Sequence, residues 1–246
     1  MSLYGTLSIA MTGLSASQRA LSVTAHNVAN ANTEGYTRKV ADQEAVLVAG
    51  RGSGARALDP QRVVDEFLNA ELRDQRSRLG QSDAVVRYHD RLQETVFGAP
   101  GDGNRGIANR VSRLATAAEA LAVTPEKSAL KVAFIGAAQD LVGQISDDAA
   151  RVQGLRADVD KEVAQTVDAI NGDVRALYEL NGQIARSQTS TELLDRRDRI
   201  LQGLAEKIPI SISSQENGTV AIYTSGGQAL LEYSPVCYTH LRAHET

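Results

Sequence analysis

The side chains able to perform chemistry in this 246-residue chain are few, and one short stretch brings several together. It is the C-terminal string VCYTHLRAHET, which contains Cys237, His240 and His244. A zinc site takes four such ligands, and a chain with a single cysteine lacks the usual sets. We therefore predict no metal site, no cofactor and no internal disulfide. The string resembles translated sequencing-adaptor sequence, so we interpret residues 236–246 as a non-native tail. A genuine Cys/His cluster is the alternative, and stoichiometric zinc would support it.

The remaining titratable groups form no catalytic constellation in the sequence. His26 falls at the end of a predicted helix and His89 within another, where capping or solvent exposure is the usual role. Asp147 and Asp148 are adjacent on a helix and therefore point in different directions. The Gly-rich string at 50–56, GRGSGAR, lacks the Lys-Ser/Thr ending of a phosphate-binding loop. We predict no catalytic residues, so the chain is not expected to be an enzyme.

Composition excludes several further classes of function. The net charge is only -4, and the cations are scattered among acidic residues, which gives no basic stripe for nucleic acid. The first cation is Arg19, so the uncharged start lacks the basic region of a signal peptide and is too interrupted to span a membrane. With no Trp and three Phe, a core must use small aliphatic side chains, which suit narrow seams between helices.

An amphipathic helix is predicted from about Leu3 to Val28. Four apolar residues recur seven apart and form one seam, and apolar residues also fill adjoining positions. The seam residues are Leu7, Leu14, Leu21 and Val28, with Leu3, Ala10, Met11 and Ala25 beside them. Several Asn and a Gly follow within nine residues. Both types tolerate left-handed backbone and Asn competes for backbone partners, so the helix should end there.

The residues that end this helix also form a spaced motif: Asn27, Asn30, Asn32, Thr33, Gly35, Tyr36 and Arg38. Helix and motif together resemble the N-terminal signature of the flagellar axial proteins, the family of rod, hook and hook-associated subunits. The alternative is an ordinary amphipathic helix with an Asn/Gly cap, which occurs in many helical proteins.

The middle of the chain is predicted to be helical after a linker. Residues 41–59 are interpreted as the linker, with an extended piece around 46–48, a flexible hinge at 50–56 and no strand in that hinge. Asp59 and Pro60 suit the start of a helix that continues to about Phe97. A loop at 98–104 ends it, and another helix spans about 107–122. Thr124 and Pro125 then fit the start of a third.

The strongest helical signal covers residues 126–188. Its stripe is apolar at every position except Asp148 and has a mean period of 3.6 residues: 130, 134, 137, 141, 145, 148, 152, 155, 159, 163, 167, 170, 174, 177, 180 and 184. That period keeps one face of a nearly straight helix inward. Gly154, Gly172 and Gly182 leave open whether the helix is continuous.

A further helix and a small β region follow. Ser190-Thr191-Glu192 can begin a helix, and its charges from Asp195 to Arg199 are interpreted as a solvated face. Its string LLDRRDRILQGLAEKI is similar to the hook-associated members of the axial family. Residues 208–235 alternate apolar and polar side chains around a turn at 216–218, which predicts the start of a β region. The predicted fold is mainly α: an elongated antiparallel bundle over 60–207, an axial helix over 1–40, and a small C-terminal β hairpin.

The resemblance covers nearly all of residues 1–235 and implies a structural subunit that joins the flagellar hook to its filament without catalysis. Leu3, Leu7, Met11, Leu14, Leu21 and Val28 would form its assembly interface. The implied partners are the hook protein, the second hook–filament junction protein, copies of itself in a ring, and an export chaperone bound by a C-terminal part not in this sequence. Nucleic acid and membrane are not expected partners. Export would use the flagellar type III channel, without a cleavable signal peptide. The alternatives are another axial subunit, a rod or hook protein, and a secreted coiled-coil effector or signalling protein.

The resemblance also implies a C-terminal helix that completes the inner domain, and this sequence contains none. We therefore predict that residues 1–30 are poorly held in the isolated chain. Their amide hydrogens should exchange faster than those of the helix at 130–184, measured at several protein concentrations because self-association would also protect the seam. Exchange that is equally slow in both segments at every concentration would contradict this.

Overall fold

The computed structural model describes residues 3–97, 106–187 and 190–232. Its helices are α1 (Leu3–Ala29), α2 (Glu66–Leu92), α3 (Ile107–Val123), α4 (Ser128–Arg186) and α5 (Thr191–Lys207). Its strands are β1 (Lys39–Val40), β2 (Gln43–Val48), β3 (Arg51–Ala57), β4 (Gln61–Arg62), β5 (Ile210–Ser214), β6 (Val220–Thr224) and β7 (Ala229–Leu231). The predicted mainly α fold is confirmed. The predicted loop at 98–104 and tail at 236–246 lie outside the described residues.

The chain divides into two compact units. The first comprises Met1–Leu79 and Ala169–Thr246, and the second comprises Gly80–Asp168. The first unit has a buried apolar core where the end of α4 and one face of α5 pack on the sheet. The core residues are Ile170, Val174, Leu177, Leu201, Leu204, Val220, Ile222, Leu230 and Leu231. Fully burying side chains of this size stabilises a fold by roughly 1.5–3 kcal/mol each, so this core anchors the unit.

The predicted β region forms an antiparallel sheet in the order β5-β6-β7. Ile212 lies opposite Ile222, and the turn between them uses Gly218 at a positive φ of 80°. Asn181 of α4 fixes the central strand, because its side-chain amide donates to the Val220 carbonyl (2.8 Å) and accepts from the Val220 N–H (3.2 Å). The period-two pattern of the sequence therefore identified these strands correctly.

The expectation of a flexible hinge without a strand at 50–56 is wrong. β2 and β3 form an antiparallel hairpin, joined by a two-residue turn in which Ala49 and Gly50 have φ of 50° and 75°. Positive φ at both central residues is what a tight hairpin of this twist requires. The hairpin packs on α1, where the Ala55 N–H donates to Thr12 Oγ1 (3.3 Å) and Ala16 is buried. Small residues in β3 thus permit close packing on the helix.

Two predicted helix starts are displaced toward the C-terminus. α2 begins at Glu66 rather than near Pro60, because residues 61–62 pair with β1 as a strand. Its N-terminus is capped by Asp65, whose Oδ1 accepts the Leu68 N–H at 3.0 Å. α4 begins at Ser128, because the Thr124 carbonyl accepts the Lys127 N–H (3.3 Å) in a turn that ends α3.

The second unit contains the end of α2, all of α3 and most of α4. α4 is one continuous helix of 59 residues, so the glycines within it do not break it. Its apolar stripe is fully buried only toward its C-terminal end, where Leu177 and Ile184 lie. Within the second unit Asp148 is buried on the stripe and accepts a hydrogen bond from Gln144 (2.9 Å). α2 continues into a π-helical turn, Gln93–Phe97, whose Thr95 carbonyl accepts from Arg151 (3.1 Å).

Candidate functional site

One face of α1 is covered and the opposite face is exposed. Ala16 is buried against the hairpin, whereas Leu7, Leu14, Leu21 and Val28 are between 54% and 73% exposed. Leu3 and Met11, the adjoining residues of the predicted interface, are also exposed. The structure therefore places all six predicted interface residues along one uncovered apolar seam. Apolar stretches of this length on a helix surface are typical of contact sites for another protein.

Asn27 fixes the segment that follows α1. Its amide nitrogen donates to the Lys39 carbonyl (2.8 Å), and its amide oxygen accepts from the Lys39 N–H (2.9 Å) and from the Tyr36 hydroxyl (2.9 Å). Both backbone groups of Lys39 are thus held by one side chain, which positions β1 beside the end of α1. The Lys39 ammonium also lies 4.9 Å from the centre of the Tyr36 ring, which favours a cation–π contact.

Asn30 and Thr33 form the turn itself. The Asn30 side chain donates to the His26 carbonyl (3.0 Å), which satisfies a carbonyl at the helix end. The Thr33 N–H donates to the Asn30 carbonyl (2.9 Å) and the Thr33 hydroxyl to Asn30 Oδ1 (3.2 Å). The predicted capping role of this Asn-rich stretch is therefore seen in the contact of Asn30, whereas Asn27 holds β1. The side chains of Asn32 and Arg38 are exposed, and the structure does not bring them into this network.

Gly35 lies in left-handed backbone, with φ of 73°, directly against α5. A Cβ at this position would overlap Cγ and Cδ of Arg199. Glycine is therefore favoured here for two reasons: it tolerates the left-handed backbone conformation, and its lack of a Cβ allows the turn to approach α5 closely.

We expect Gly35→Ala to lower the free energy of unfolding by about 1–3 kcal/mol, since it adds backbone strain and displaces Arg199. Gly50→Ala is the matched control, because Gly50 has a φ of 75° but no other atom lies within 4 Å of the point that a Cβ would occupy. It should cost only the backbone strain, about 1 kcal/mol. Urea unfolding followed by circular dichroism measures both. Equal losses would show that contact with α5 is unimportant.

Asp195 and Asp198 of α5 do not belong to a solvated face, contrary to expectation, whereas Arg196 and Arg199 of the same string are exposed. Asp195 is only 5% exposed and Arg62 of β4 approaches it, with Nε 2.9 Å from Asp195 Oδ1. Arg62 also contacts Asp198, and the Thr37 hydroxyl donates to Asp195 Oδ1 (2.5 Å). Lys39 lies 3.6 Å from Asp195 Oδ2. The cationic partners lie far away in the sequence, so the charges of α5 alone did not show which residues would pair with them.

A row of three carboxylates on α5 receives these cations. Glu192, Asp195 and Asp198 are spaced three apart, which puts them near one face of the helix. Arg197 joins the end of the row by pairing with Asp198 (3.1 Å), and it also donates to the Gly218 carbonyl (3.1 Å). We call Thr37, Lys39, Arg62, Glu192, Asp195 and Asp198 the ionic joint. The three-residue spacing of the acids was the one sequence signal that pointed to it.

The pH dependence of the joint follows from Glu192. The hydrogen bond that Lys39 Nζ donates to Glu192 (2.6 Å) holds the pKa of that carboxyl below its ordinary value of 4.5. Its contribution to stability is therefore complete above about pH 4.5 and is lost as the pH falls through the lowered folded-state pKa. Because the side chain is 74% exposed, this contribution should be less than about 1 kcal/mol.

We expect Glu192→Gln to be less stable than the parent chain at pH 6, and we expect this difference in unfolding free energy to shrink as the pH falls below about 4.5. The measurement is the difference in unfolding free energy between the two proteins across that range. A difference that stays constant with pH would exclude an ionic contribution from this pair.

A cleft of about 460 Å³ opens beside the joint, between the motif and the start of α5. His26 and Glu34 are among the residues that line it, together with Gly35, Lys39 and Asp195 of the site. His89 is exposed on α2 in the second unit. Among the described residues, no group of His, Cys, Asp and Glu is arranged to hold a metal ion. No helix in the described part of the chain has the length and apolar character needed to cross a bilayer.

Comparison with known proteins agrees with this geometry. The family model described as "Flagellar hook-associated protein FlgK helical domain" matches residues 94–236, and "Flagella basal body rod protein" matches residues 7–37. The flagellar hook-associated protein 1 of Escherichia coli is 27% identical over 236 residues, covering 92% of this chain and 42% of the relative. That of Bacillus subtilis is 30% identical over 244 residues, covering 92% and 47%.

A solved structure is also similar. The flagellar hook junction protein FlgK from Burkholderia pseudomallei matches with a TM-score of 0.56 and 25% identity, over 68% of this chain and 29% of that one. The chain spans less than half the length of the curated relatives it matches. The first family model covers more than half of the chain, including α3, α4, α5 and the sheet. The chain therefore belongs to the family of the flagellar hook-associated protein FlgK helical domain.

Proposed function

We propose that the chain is part of a structural subunit of the bacterial flagellum, an adaptor that joins the hook to the filament through its α1 helix and has no catalytic role. The observation that carries this proposal is the uncovered apolar seam of α1. Four residues at seven-residue spacing, Leu7, Leu14, Leu21 and Val28, are each more than half exposed. Their burial against other helices would contribute roughly 1.5–3 kcal/mol for each large side chain, which favours assembly over solvent exposure.

The motif supports the same role from the other end of the helix. Asn27, Tyr36 and Lys39 hold the chain where it leaves α1, and Gly35 brings it against α5. In this proposal the motif is a structural joint that presents the seam to neighbouring subunits. The residues Asn30 and Thr33 shape its turn, while the exposed Asn32 and Arg38 are available for contact between subunits.

The proposed partners are other flagellar components: the hook protein, the second hook–filament junction protein and further copies of the chain in a ring. Export would use the flagellar type III channel without a cleavable signal peptide, and an export chaperone would bind a further C-terminal part of the protein. The subunit would then lie outside the cell, at the hook–filament junction. Two curated relatives carry the name flagellar hook-associated protein 1, which supports this location.

A rod or hook protein is the weaker alternative, because the matching family model is the helical domain of a hook-associated protein. A secreted coiled-coil effector would share the helices, but it has no need of the axial motif that the rod-protein model matches at residues 7–37.

The proposal is tested with a chimaera in which residues 1–235 replace the matching part of the Escherichia coli relative. Cells lacking that relative should again keep their filaments attached when they make the chimaera. Filaments are counted on cells and in the medium. The control is a chimaera without residues 3–29, which should be made but leave filaments detached. A chimaera that is exported, yet leaves filaments in the medium, would contradict the proposal.

A further inference from the structure

We propose that Arg62 is the positioning residue that fixes the direction of α1 relative to α5. This deepens the assembly role proposed above and rests on it, since a seam must point in a defined direction to meet its neighbours. Arg62 lies outside the axial motif, and the assembly surface itself does not include it.

α1 and the β2–β3 hairpin form one packed piece. Thr12 and Ala16 of the helix contact the hairpin, where Thr12 Oγ1 accepts the Ala55 N–H. The base of the hairpin is closed by the Leu58 N–H, which donates to the Asp42 carbonyl at 2.8 Å. This piece connects to the rest of the first unit through β1 on one side and β4 on the other.

The strand pair at that connection is short and carries like charges. β1 and β4 pair over two residues each, and Lys39 lies directly opposite Arg62. Directly opposite residues of an antiparallel pair project from the same face, and like charges there destabilise the pair. Two residue pairs with facing cations make a weak connection unless a third element supplies the opposite charge.

α5 supplies the opposite charge through its carboxylates, and Arg62 is the side chain that contacts two of them. Its guanidinium reaches two carboxylates on successive turns of α5, pairing with Asp195 through Nε (2.9 Å) and with Asp198 through a terminal nitrogen. The same Nε lies 2.9 Å from Thr37 Oγ1, so β4, the segment that leads into β1, and α5 meet at one group. The Arg62 side chain is only 7% exposed, which limits screening by solvent.

The geometry of arginine explains why one residue can set an angle. A guanidinium is a rigid planar fork that fixes its partners in direction as well as distance, whereas an ammonium is a point charge. Lys39 adds attraction to Glu192 and Asp195 through a single nitrogen. Loss of Arg62 therefore removes the contact at β4 that resists rotation of the α1 piece relative to α5. Asn27, Gly35 and Lys39 would still hold the end of α1 near α5.

Spin labels measure this directly in the 246-residue chain. Labels are placed on Ser17→Cys in α1 and Arg196→Cys in α5, both exposed positions, after Cys237→Ser removes the natural thiol. Because the β2–β3 hairpin packs on α1, pulsed dipolar spectroscopy should give one narrow distance distribution in the parent, contrary to the sequence-based prediction that residues 1–30 are poorly held. Arg62→Leu should broaden it at least twofold in width, and Arg62→Lys should give an intermediate width. The exposed Arg38→Ala, its matched control, should leave the width unchanged.

A second label pair separates loss of position from loss of folding. Glu179→Cys and Arg196→Cys lie on α4 and α5 within the first unit, and their distribution should stay narrow in all variants. If Arg62→Leu broadens this pair too, the test uses Arg62→Lys, which keeps the charge but lacks the planar fork and should still broaden the distribution between α1 and α5. A broad parent distribution, or an Arg62 variant whose α1–α5 distribution is as narrow as that of the parent, would overturn the proposal. Because assembly is not measured here, failure of the chimaera would leave this result standing.

Discussion

Asp195→Ala is expected to lower the free energy of unfolding by about 3–5 kcal/mol, the cost of removing one partner from a buried ion pair. Asp195 is the centre of the ionic joint, where it faces Arg62 and Lys39 together. Both cations are nearly as buried as the carboxylate, with side chains 7–8% exposed. Each cation would lose one of its two carboxylate partners in a site that solvent reaches poorly, with Glu192 left beside Lys39 and Asp198 beside Arg62. Urea unfolding at pH 7, followed by circular dichroism, measures the loss.

Arg196→Ala is the matched control for this change. Arg196 is the next residue of the same helix and is exposed, so its loss should alter stability by less than about 0.5 kcal/mol. Asp195→Ala combined with Arg62→Met should cost less than the sum of the single changes, because both charges then leave together. A loss below about 1 kcal/mol for Asp195→Ala would mean that the joint is open to solvent.

Replacing the seam leucines should leave the fold intact and abolish assembly. In the triple variant Leu7→Gln, Leu14→Gln and Leu21→Gln, the unfolding free energy of the isolated chain should change by less than about 1 kcal/mol, since each side chain is more than half exposed. In the chimaera the same changes remove at least about 1.5 kcal/mol of burial per leucine. We therefore expect attachment of filaments to fall by more than a hundredfold.

Arg19→Gln provides the control for the seam. Arg19 is exposed and lies about 120° or more around the helix from each of the three replaced leucines. The control chimaera should retain filaments as the parent does. If filaments stay attached after the triple change, the seam is not part of the assembly surface. If the isolated chain instead loses most of its unfolding free energy, the seam is covered within the subunit.

Elements with their own periodicity were predictable from the sequence. α1 and α4 follow from apolar residues at helical spacing, and the observed α4, from Ser128 to Arg186, agrees with the stripe that predicted it. β5 and β6 follow from alternation on either side of a turn. In each case the spacing of apolar residues lies within one continuous segment, because local helix or strand geometry decides which side chains share a face.

The hairpin at residues 43–57 was missed because its stability is not local. β3 contains two glycines and two alanines, which have low strand propensity. Its strand conformation depends on packing against Thr12 and Ala16, a contact that a scan along the chain does not reveal. Tertiary packing here overrides the preference of the residues themselves.

The ionic joint was missed for a related reason. A charged string on a helix is solvated by default, and the spacing of Glu192, Asp195 and Asp198 alone does not tell whether cations cover it. Those cations come from β1 and β4, which the sequence did not indicate as strands. The motif residues Asn27 and Gly35 were identified by resemblance, and their physical roles became clear only from their partners.

The wide sequence separation of the joint has a consequence for biosynthesis. Thr37 is 158 residues from Asp195, and Arg62 is 136 residues from Asp198. Until the ribosome has released α5, the facing cations Lys39 and Arg62 have no acidic row to meet, and their repulsion keeps β1 and β4 apart. The segment that ends at β4 thus waits for α5, and contacts between such distant segments form slowly. A newly made chain therefore passes through a period in which its N-terminal segment is not yet packed on α5. In that state the segment can enter a narrow passage such as the export channel proposed above.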